Sequence, residues 1–540
     1  MKKLFKAVLT AATLAGMLAI PSQVHAGADS TQGDILGIVG SDTTYYVMNA
    51  LTDAHNLSAR YNPNGDKAVN IPPLVSANAN VEAGEAGTAT TSWLKKARLA
   101  WPGGAVLPAD ANCTTQYVFG GAGSVDGGQD GDTSGTSGGD IDTPYTSVTS
   151  VPGGPTVSTV PGTYTVRLGV VPPNGSGDGQ KAIKGTAVKG VSYAEGCLDI
   201  GRSSSAPSSS NGCGTPTNCE SWAFALDAIG WTYFPGNTQP AVSSGIITAD
   251  FNKIYQCATS SVDVNLDGDY FDTGDMKIGY PMIQYWNQLT AASNVSVEPT
   301  KIAAYRIQPG SGTGKDVASV FMGRTDGIDA EVLKDCDGLG GVDKDGDANT
   351  SFTFPIVQEH DCRNVADADK ARAICFYGYS RWVLQARALE TDKRNGAIFG
   401  KFGPNSSELK RPSFSTINTS ASRYKGSRYV YNVLPLNAGA DYGRTPDARR
   451  FVGVSLQPEA CATNAVASVV SEVTANADCN FDGDLTDTAV AVGAVPGFIC
   501  GDATARRIIA SFGFKPIASG VTSATPGYGT SYCRHNQAAL

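Results

Sequence analysis

The sequence has 540 residues, with 41 basic and 50 acidic side chains and a formal charge of −9 at pH 7. This balance excludes a general basic surface for nucleic acid, so an anionic ligand would have to be held by local dipoles and a few cations. The length is enough for two or more domains of ordinary size.

Residues 1–26 have the pattern of a secretory signal peptide. Three lysines precede an apolar run over residues 7–20, and Val24-His25-Ala26 is a small-x-small cleavage pattern. Cleavage after Ala26 leaves 38 basic against 50 acidic residues, a formal charge of about −12. No later apolar run is long enough to cross a bilayer. We therefore expect a periplasmic or secreted protein with no membrane insertion after cleavage.

Twelve cysteines in an exported chain indicate disulfides. Cys213 and Cys219 bracket a short loop containing Gly and Pro, and are the easiest local pair to propose. The other ten cannot be connected from sequence alone. A zinc site is excluded because there is no CxxC pair and only four histidines, one of which leaves with the signal peptide.

The first folded unit is a strand, a small polar turn and a helix. Ile35–Val39 is a buried strand, Gly40-Ser41-Asp42-Thr43-Thr44 is the turn, and Val47, Leu51 and Ala54 lie on one face of the helix that follows. Residues 119–160 are dominated by Gly, Ser, Thr, Asp and Pro, and we interpret them as a flexible insertion or a long surface excursion.

Two further strand ends carry polar turns. Tyr164–Val171 leads into Pro173-Asn174-Gly175-Ser176 and a short helix from Gln180. Cys197-Leu-Asp-Ile-Gly201 is a short strand that ends in Arg202, Ser203 and Ser204.

The fourth turn is Gly310-Ser311-Gly312-Thr313, between a short apolar strand at Ile302–Tyr305 and a helix. Its glycines allow close backbone approach, and its hydroxyls stand at a helix start with unpaired amide protons, so it can act as an anion cradle. The alternative is a capped helix start without a ligand.

Strands alternating with helices indicate an α/β fold, in which ligands lie beyond the carboxyl ends of the strands. Ser221–Tyr233 is a long apolar strand suited to crossing between two lobes, and Arg428–Leu434 is interpreted as the return crossing.

Aspartate-rich loops form a second set of motifs. Residues 263–272 and 478–487 share the template Asp-x-Asn-x-Asp-Gly-Asp-x-x-Asp, and residues 343–347 repeat part of it. Alternating carboxylates around a Gly turn are typical of calcium loops, although the Glu at the twelfth position is absent. We predict structural calcium; solvated acidic turns are the alternative. The ligands would be Asp263, Asn265, Asp267, Asp269, Asp272, Asp343, Asp345, Asp347, Asp478, Asn480, Asp482, Asp484 and Asp487.

The sequence gives no sign of an enzyme. There is no Gly-x-Ser-x-Gly elbow, and no His stands in a recognisable order with Ser or Cys. Glu359-His360-Asp361 lies in a polar run that we interpret as exposed and structural.

Seven short segments, in order, resemble the phosphate-binding components of ABC transporters, and more closely their "GSDTT" branch best known from actinobacteria. The segments are Gly40–Thr44, Pro173–Ser176, Cys197–Ser204, Ala225–Ile229, Gly310–Thr313, Tyr379–Trp382 and Tyr431–Pro435. The resemblance implies a two-lobed type II periplasmic binding fold with two crossover strands. Its expected boundaries are residues 27–225 and 431–540 for the first lobe and 226–430 for the second.

The resemblance also implies an oxyanion held in the cleft by hydroxyls, backbone amides and an arginine. Matched residue by residue, it assigns this role to Ser41, Asp42 and Thr43 of the first turn, Ser176 of the second, Ser203 and Ser204 of the third, and Ser311, Gly312 and Thr313 of the fourth.

Two departures from the family bear on the choice of anion. The aspartate that accepts the proton of hydrogen phosphate is replaced by serine here, and Asp42 is the nearest substitute, unless Asp42 is a helix N-cap. The arginine before the fourth turn, Arg306, stands one residue farther away, so Arg202 is an alternative cation. Without a carboxylate acceptor in the cleft, sulfate would become as acceptable as phosphate.

The sequence thus predicts a monomeric solute-binding protein that passes an oxyanion, phosphate first, to an ABC transporter permease. The alternative is an extracellular, calcium-stabilised structural or adhesion protein that keeps the fold without its ligand. A phosphate-ester hydrolase has no identifiable nucleophile.

Overall fold

The structure is a computed structural model. It describes residues 35–58, 61–62, 67–71, 105–107, 115–119, 145–146, 165–170, 172–173, 175–188, 193, 197–258, 280–290, 300–307, 311–323, 354–438, 440–441, 445–456, 494–521 and 530–540. None of the helices in these ranges has the length and apolar character that a membrane span requires.

The strands and helices follow in chain order. The strands are β1 (Ile35–Gly40), β2 (Lys67–Asn70), β3 (Ala105–Leu107), β4 (Thr115–Phe119), β5 (Tyr145–Thr146), β6 (Thr165–Val170), β7 (Ile200–Ser203), β8 (Cys219–Tyr233), β9 (Ile246–Ile247), β10 (Ala303–Ala304), β11 (Arg306–Ile307), β12 (Ile356–Val357), β13 (Ala373–Gly378), β14 (Ile398–Phe399), β15 (Phe402–Gly403), β16 (Ser427–Asn437), β17 (Ala440–Asp441), β18 (Val454–Leu456), β19 (Ala494–Pro496), β20 (Lys515–Pro516), β21 (Gly520–Val521), β22 (Thr530–Ser531) and β23 (Arg534–His535). The helices are α1 (Tyr45–Asn56), α2 (Ser176–Ile183), α3 (Pro240–Ser244), α4 (Thr248–Tyr255), α5 (Gly312–Asp316), which a π-helical turn continues over Val317–Phe321, α6 (Tyr379–Ala386), α7 (Thr445–Val452), α8 (Phe498–Gly501) and α9 (Ala503–Ser511).

The central sheet runs β2-β1-β7-β16-β8-β13-β10. Its middle is the antiparallel pair β8 and β16. On one side β1 pairs in parallel with both β2 and β7, and on the other β10 pairs in parallel with β13. Two parallel wings are thus joined by two long antiparallel strands. The α/β class and the two crossing strands predicted from sequence are confirmed.

The two long strands are buried along nearly their whole length. Every residue of β8 except the last is buried, including Trp222 and Trp231. Asp227, the buried acid at the middle of β8, accepts hydrogen bonds from Ser380 N at 2.9 Å and Arg428 Nη2 at 3.2 Å. These hydrogen bonds offset the free-energy cost of burying a carboxylate.

Beside β1, helix α1 buries Val47, Met48 and Leu51, the first and last of which lie on the face predicted from sequence. They pack with Phe451 and Phe498 in one apolar cluster. Burial of each large apolar side chain stabilises the fold by roughly 1.5–3 kcal/mol, which fixes α1 and the turn that precedes it.

All eight cysteines in the described ranges are in disulfides. The predicted pair Cys213–Cys219 is confirmed, and Cys362–Cys375 and Cys500–Cys533 are two further bridges. Sequence alone did not connect the latter two because each joins separate elements of the fold.

Several predictions concern residues outside the described ranges. These are the signal peptide at residues 1–26, most of the insertion at 119–160, and the calcium loops at 263–272, 343–347 and 478–487. They stay predictions, as do the expected lobe boundaries.

Candidate functional site

The first turn begins at the end of β1, where Gly40 pairs with Arg202 of the neighbouring strand β7. Gly40 has φ +116°, and a Cβ there would lie 2.5 Å from the carbonyl oxygen of Arg202, so only glycine fits. Ser41, Asp42 and Thr43 follow, all buried. The N-cap residue of α1 is Thr44, so Asp42 is not its cap.

The second, third and fourth turns meet at Ser176. Its Oγ accepts a hydrogen bond from Ser204 N at 2.8 Å and lies 3.1 Å from Ser204 Oγ. A Cβ on Gly312 would approach Ser176 Oγ to 2.4 Å, so the fourth turn packs directly on the second. Ser203 Oγ instead accepts from Gln180 Nε2 at 3.1 Å. Ser176, Ser204 and Gly312 are therefore brought together, whereas Ser203 is bonded to the neighbouring helix.

Three hydroxyls from the first and fourth turns converge on one carboxylate, that of Glu359. Thr43 Oγ1 and Thr313 Oγ1 donate to its Oε1 at 2.7 and 2.5 Å, and Ser311 Oγ donates to its Oε2. We call Thr43, Ser311 and Thr313 the hydroxyl cradle. All three were predicted to bind an oxyanion, and here they bind an anionic side chain of the same molecule.

The prediction that residues 359–361 form an exposed polar run was wrong. Glu359, His360 and Asp361 are all buried, at 4 %, 1 % and 3 % exposure. They follow β12, which pairs in parallel with β11, so they leave the sheet at the same edge as the fourth turn. This fifth polar turn was missed because it has no glycine or hydroxyl residue to mark it.

His360 joins the two acidic side chains of the site. Its Nε2 lies 2.8 Å from Glu359 Oε1, 3.0 Å from Thr43 Oγ1 and 4.0 Å from Asp42 Oδ1. Its Nδ1 accepts a hydrogen bond from Gly378 N at 3.0 Å. Because Nδ1 is an acceptor, the ring proton is on Nε2 and points at the carboxylates.

Asp42, Glu359 and His360 each present an atom within 4.8 Å of the others, the spacing of a metal site. A metal-bound histidine donates its second N–H to a neighbour. Here Gly378 N–H points at Nδ1, and Nε2 therefore has no free lone pair. The histidine does not fit as a metal ligand.

The two carboxylates differ in environment. Burial, followed by the charge of Glu359, raises the pKa of Asp42 to about 6. Asp42 Oδ1 has no hydrogen-bond partner among the described residues. Burial also acts to raise the pKa of Glu359, but His360 and the hydroxyls of Ser311 and Thr313 outweigh it and lower that pKa overall. Both oxygens of Glu359 accept hydrogen bonds, whereas Asp42 Oδ1 accepts none from the described residues.

Arg202 holds the first turn rather than facing the cradle. Its guanidinium donates to the carbonyls of Gly40 at 3.0 Å, Ser41 at 3.2 Å and Ile71 at 2.8 Å, and to Asn70 Oδ1. Burial lowers its pKa to about 9. These bonds engage all but one of its five N–H groups, so it fixes the turn's backbone.

Two arginines that sequence reasoning did not assign are close to the cradle. Arg428 of β16 donates to Thr313 Oγ1 at 3.0 Å and to Asp316 Oδ2 at 2.9 Å. Arg381 of α6 donates to the carbonyl of Asp42 at 2.8 Å. Arg306, the predicted cation, lies half-buried on β11. Both unassigned arginines lie in segments already singled out from sequence, the Tyr-Ser-Arg-Trp segment and the return crossing.

No protein-family model and no curated protein matches the sequence. Among solved structures, an ABC-type phosphate transport receptor from Vibrio cholerae aligns at 13 % identity and a TM-score of 0.30, covering 59 % of this chain and 80 % of that one. PstS from Borrelia burgdorferi aligns at 11 % identity and a TM-score of 0.32, covering 89 % and 98 %. At these TM-scores the likeness carries no argument about function. Function has to be inferred from the residues of the site.

Proposed function

We propose that this chain is an exported solute-binding protein that captures an inorganic oxyanion, phosphate first, and passes it to an ABC transporter permease. The observation that carries the proposal is the hydroxyl cradle, whose three hydroxyls already converge on the anionic carboxylate of Glu359. A site that binds one oxyanion through hydroxyl donors has the chemistry to bind another.

The cradle suits a small tetrahedral anion because its donors come from separate elements. Thr43 follows β1, whereas Ser311 and Thr313 flank the start of α5. Ser176 and Ser204 lie beside them through Gly312, adding two further hydroxyls at the same edge. Donors from several directions surround an anion without a net positive chain, which agrees with the charge of −9.

Calorimetric titration of the mature chain with phosphate and with sulfate tests this function. We expect phosphate to bind with a dissociation constant below about 100 μM, equivalent to about −5.5 kcal/mol. If neither anion binds at that level, the transport function is wrong.

One observation favours the alternative, a structural protein that keeps the fold without a ligand. The cradle hydroxyls are already bonded to Glu359. Absence of anion binding together with absence of permease and ATPase genes beside this one would support that alternative.

A further inference from the structure

One oxygen of Glu359 connects two separate parts of the fold. Oε1 accepts a hydrogen bond from Thr43 Oγ1, which follows β1, at 2.7 Å and another from Thr313 Oγ1, on α5, at 2.5 Å. Oε2 accepts from Ser311 Oγ, the N-cap residue of α5. The carboxylate thus draws the first and fourth turns together. A bound anion that accepted from the same hydroxyls would join the turns in the same way.

The turn that carries Glu359 has an uncommon backbone conformation. His360, the next residue, has φ +60°, in the left-handed region that favours glycine. Two contacts of its ring offset this strain. Nδ1 accepts a hydrogen bond from Gly378 N at 3.0 Å, and Nε2 lies 2.8 Å from Glu359 Oε1. The ring of His360 therefore fixes the backbone that presents Glu359 to the cradle.

Two further hydroxyls at this edge of the sheet are bonded to each other rather than to Glu359. Ser176 Oγ and Ser204 Oγ lie 3.1 Å apart, and Gly312 of the fourth turn packs on both. A carboxylate has only two oxygens, and both oxygens of Glu359 already accept hydrogen bonds. A tetrahedral anion has four, so it can accept from the cradle hydroxyls and also from Ser176 and Ser204.

We infer that Glu359 is an internal ligand of the hydroxyl cradle, which sets the affinity of the site and restricts it to anions that outcompete a carboxylate. This inference rests on the proposed oxyanion-binding function. A tethered carboxylate acts at a high effective concentration, so a free monocarboxylate, which makes the same hydrogen bonds, does not displace it. A doubly charged tetrahedral anion has more acceptor oxygens and more charge, and displaces it. Phosphate and sulfate both meet this condition.

Glu359→Gln tests the competition. The amide keeps the size of the side chain but has no charge and one acceptor oxygen fewer, so it is held more weakly by the cradle. In calorimetric titrations the variant should bind phosphate and sulfate at least about tenfold more tightly than wild type, because neither anion has to displace a charged competitor.

Thermal unfolding without anion gives the second readout for the same variant. Its Tm should be lower than that of wild type, because hydrogen bonds to the buried carboxylate are lost. Higher affinity together with lower Tm identifies an internal ligand. A side chain that only supports the turn would lower both when it is changed.

Asp361→Asn is the matched control, because Asp361 is a buried acid on the same turn whose carboxylate is bonded to Arg363. It should lower the Tm without changing the affinity for either anion. Glu359→Ala provides an independent measurement, since it removes the carboxylate altogether. Acetate should raise the Tm of this variant by taking the place of the lost carboxylate, and should leave the Tm of wild type unchanged.

The outcomes separate the inference from the proposed function. If wild type, Glu359→Gln and Glu359→Ala all bind neither phosphate nor sulfate, the proposed function is wrong. If wild type binds an anion and Glu359→Gln binds it equally or more weakly, the inference is wrong while the proposed function stands. Acetate binding to wild type as tightly as phosphate would likewise overturn the inference alone.

Discussion

Asp42 should make the stability of the ligand-free protein depend on pH. Its pKa is 3.8 in an unperturbed chain and about 6 in the fold, raised by burial. A carboxyl whose pKa is raised by folding destabilises the fold once ionised, so stability should rise as pH falls from about 6 towards 4. The full effect for Asp42 is up to ~3 kcal/mol.

Unfolding by urea at about pH 7 and about pH 5, for wild type and Asp42→Asn, measures this effect. The variant should be more stable than wild type at the higher pH by ~1–3 kcal/mol, and the difference should shrink at the lower pH. Asp316, whose pKa burial also raises to about 6, acts the same way in both proteins. If the difference in unfolding free energy between the two proteins does not change with pH, the pKa of Asp42 is not raised in the fold.

At the scale of the element, Gly312 decides whether the turns can meet. A Cβ at that position would lie 2.4 Å from Ser176 Oγ and 3.0 Å from Ser204 Oγ. Gly312→Ala should therefore push the fourth turn away and weaken anion binding by at least about tenfold. Gly314→Ala is the matched control, because its nearest neighbours would be at 3.7 Å. Equal anion affinities in the two variants would show that anion binding does not need the contact between the turns.

The strand-end turns show what sequence could and could not predict. Glycines and hydroxyls marked four turns, and the parallel pairing of β1 with β7 brings the first and third of them to one edge. The fifth, at Glu359, was missed because a run of Gln, Glu, His and Asp looks exposed until the strand before it is paired. Burial of such a run is set by β11 and other elements far away in the sequence.

The arginines were missed for a similar reason. Arg428 reaches Thr313 from a strand 115 residues later in the chain, and nothing in the local sequence of the fourth turn indicates this. The choice between Arg202 and Arg306 was made on local spacing, whereas the buried carbonyls that engage Arg202 come from two separate segments, Gly40 with Ser41 and Ile71.

At the scale of the whole molecule, we propose that calcium bound by residues 263–272 and 478–487 stabilises the fold. Both loops share six template positions that supply carboxylate or amide oxygens and a turn glycine. Calcium that binds only the folded state stabilises it by about 2.7 kcal/mol at a hundred times its dissociation constant. Thermal unfolding with calcium, and again with a chelator, should give a higher Tm with calcium. Asp267→Asn paired with Asp482→Asn should abolish most of that difference. Identical Tm values with and without calcium would indicate solvated acidic turns.

For the cradle to bind a ligand, an oxyanion must replace Glu359 as the acceptor of the cradle hydroxyls. A crystal structure of the mature chain grown with phosphate tests this most directly. It should show one phosphate within hydrogen-bond distance of Thr43, Ser311 and Thr313, with Glu359 displaced from all three hydroxyls. A structure in which phosphate lies elsewhere, or in which those three hydroxyls still bind Glu359 in the presence of saturating phosphate, would contradict it.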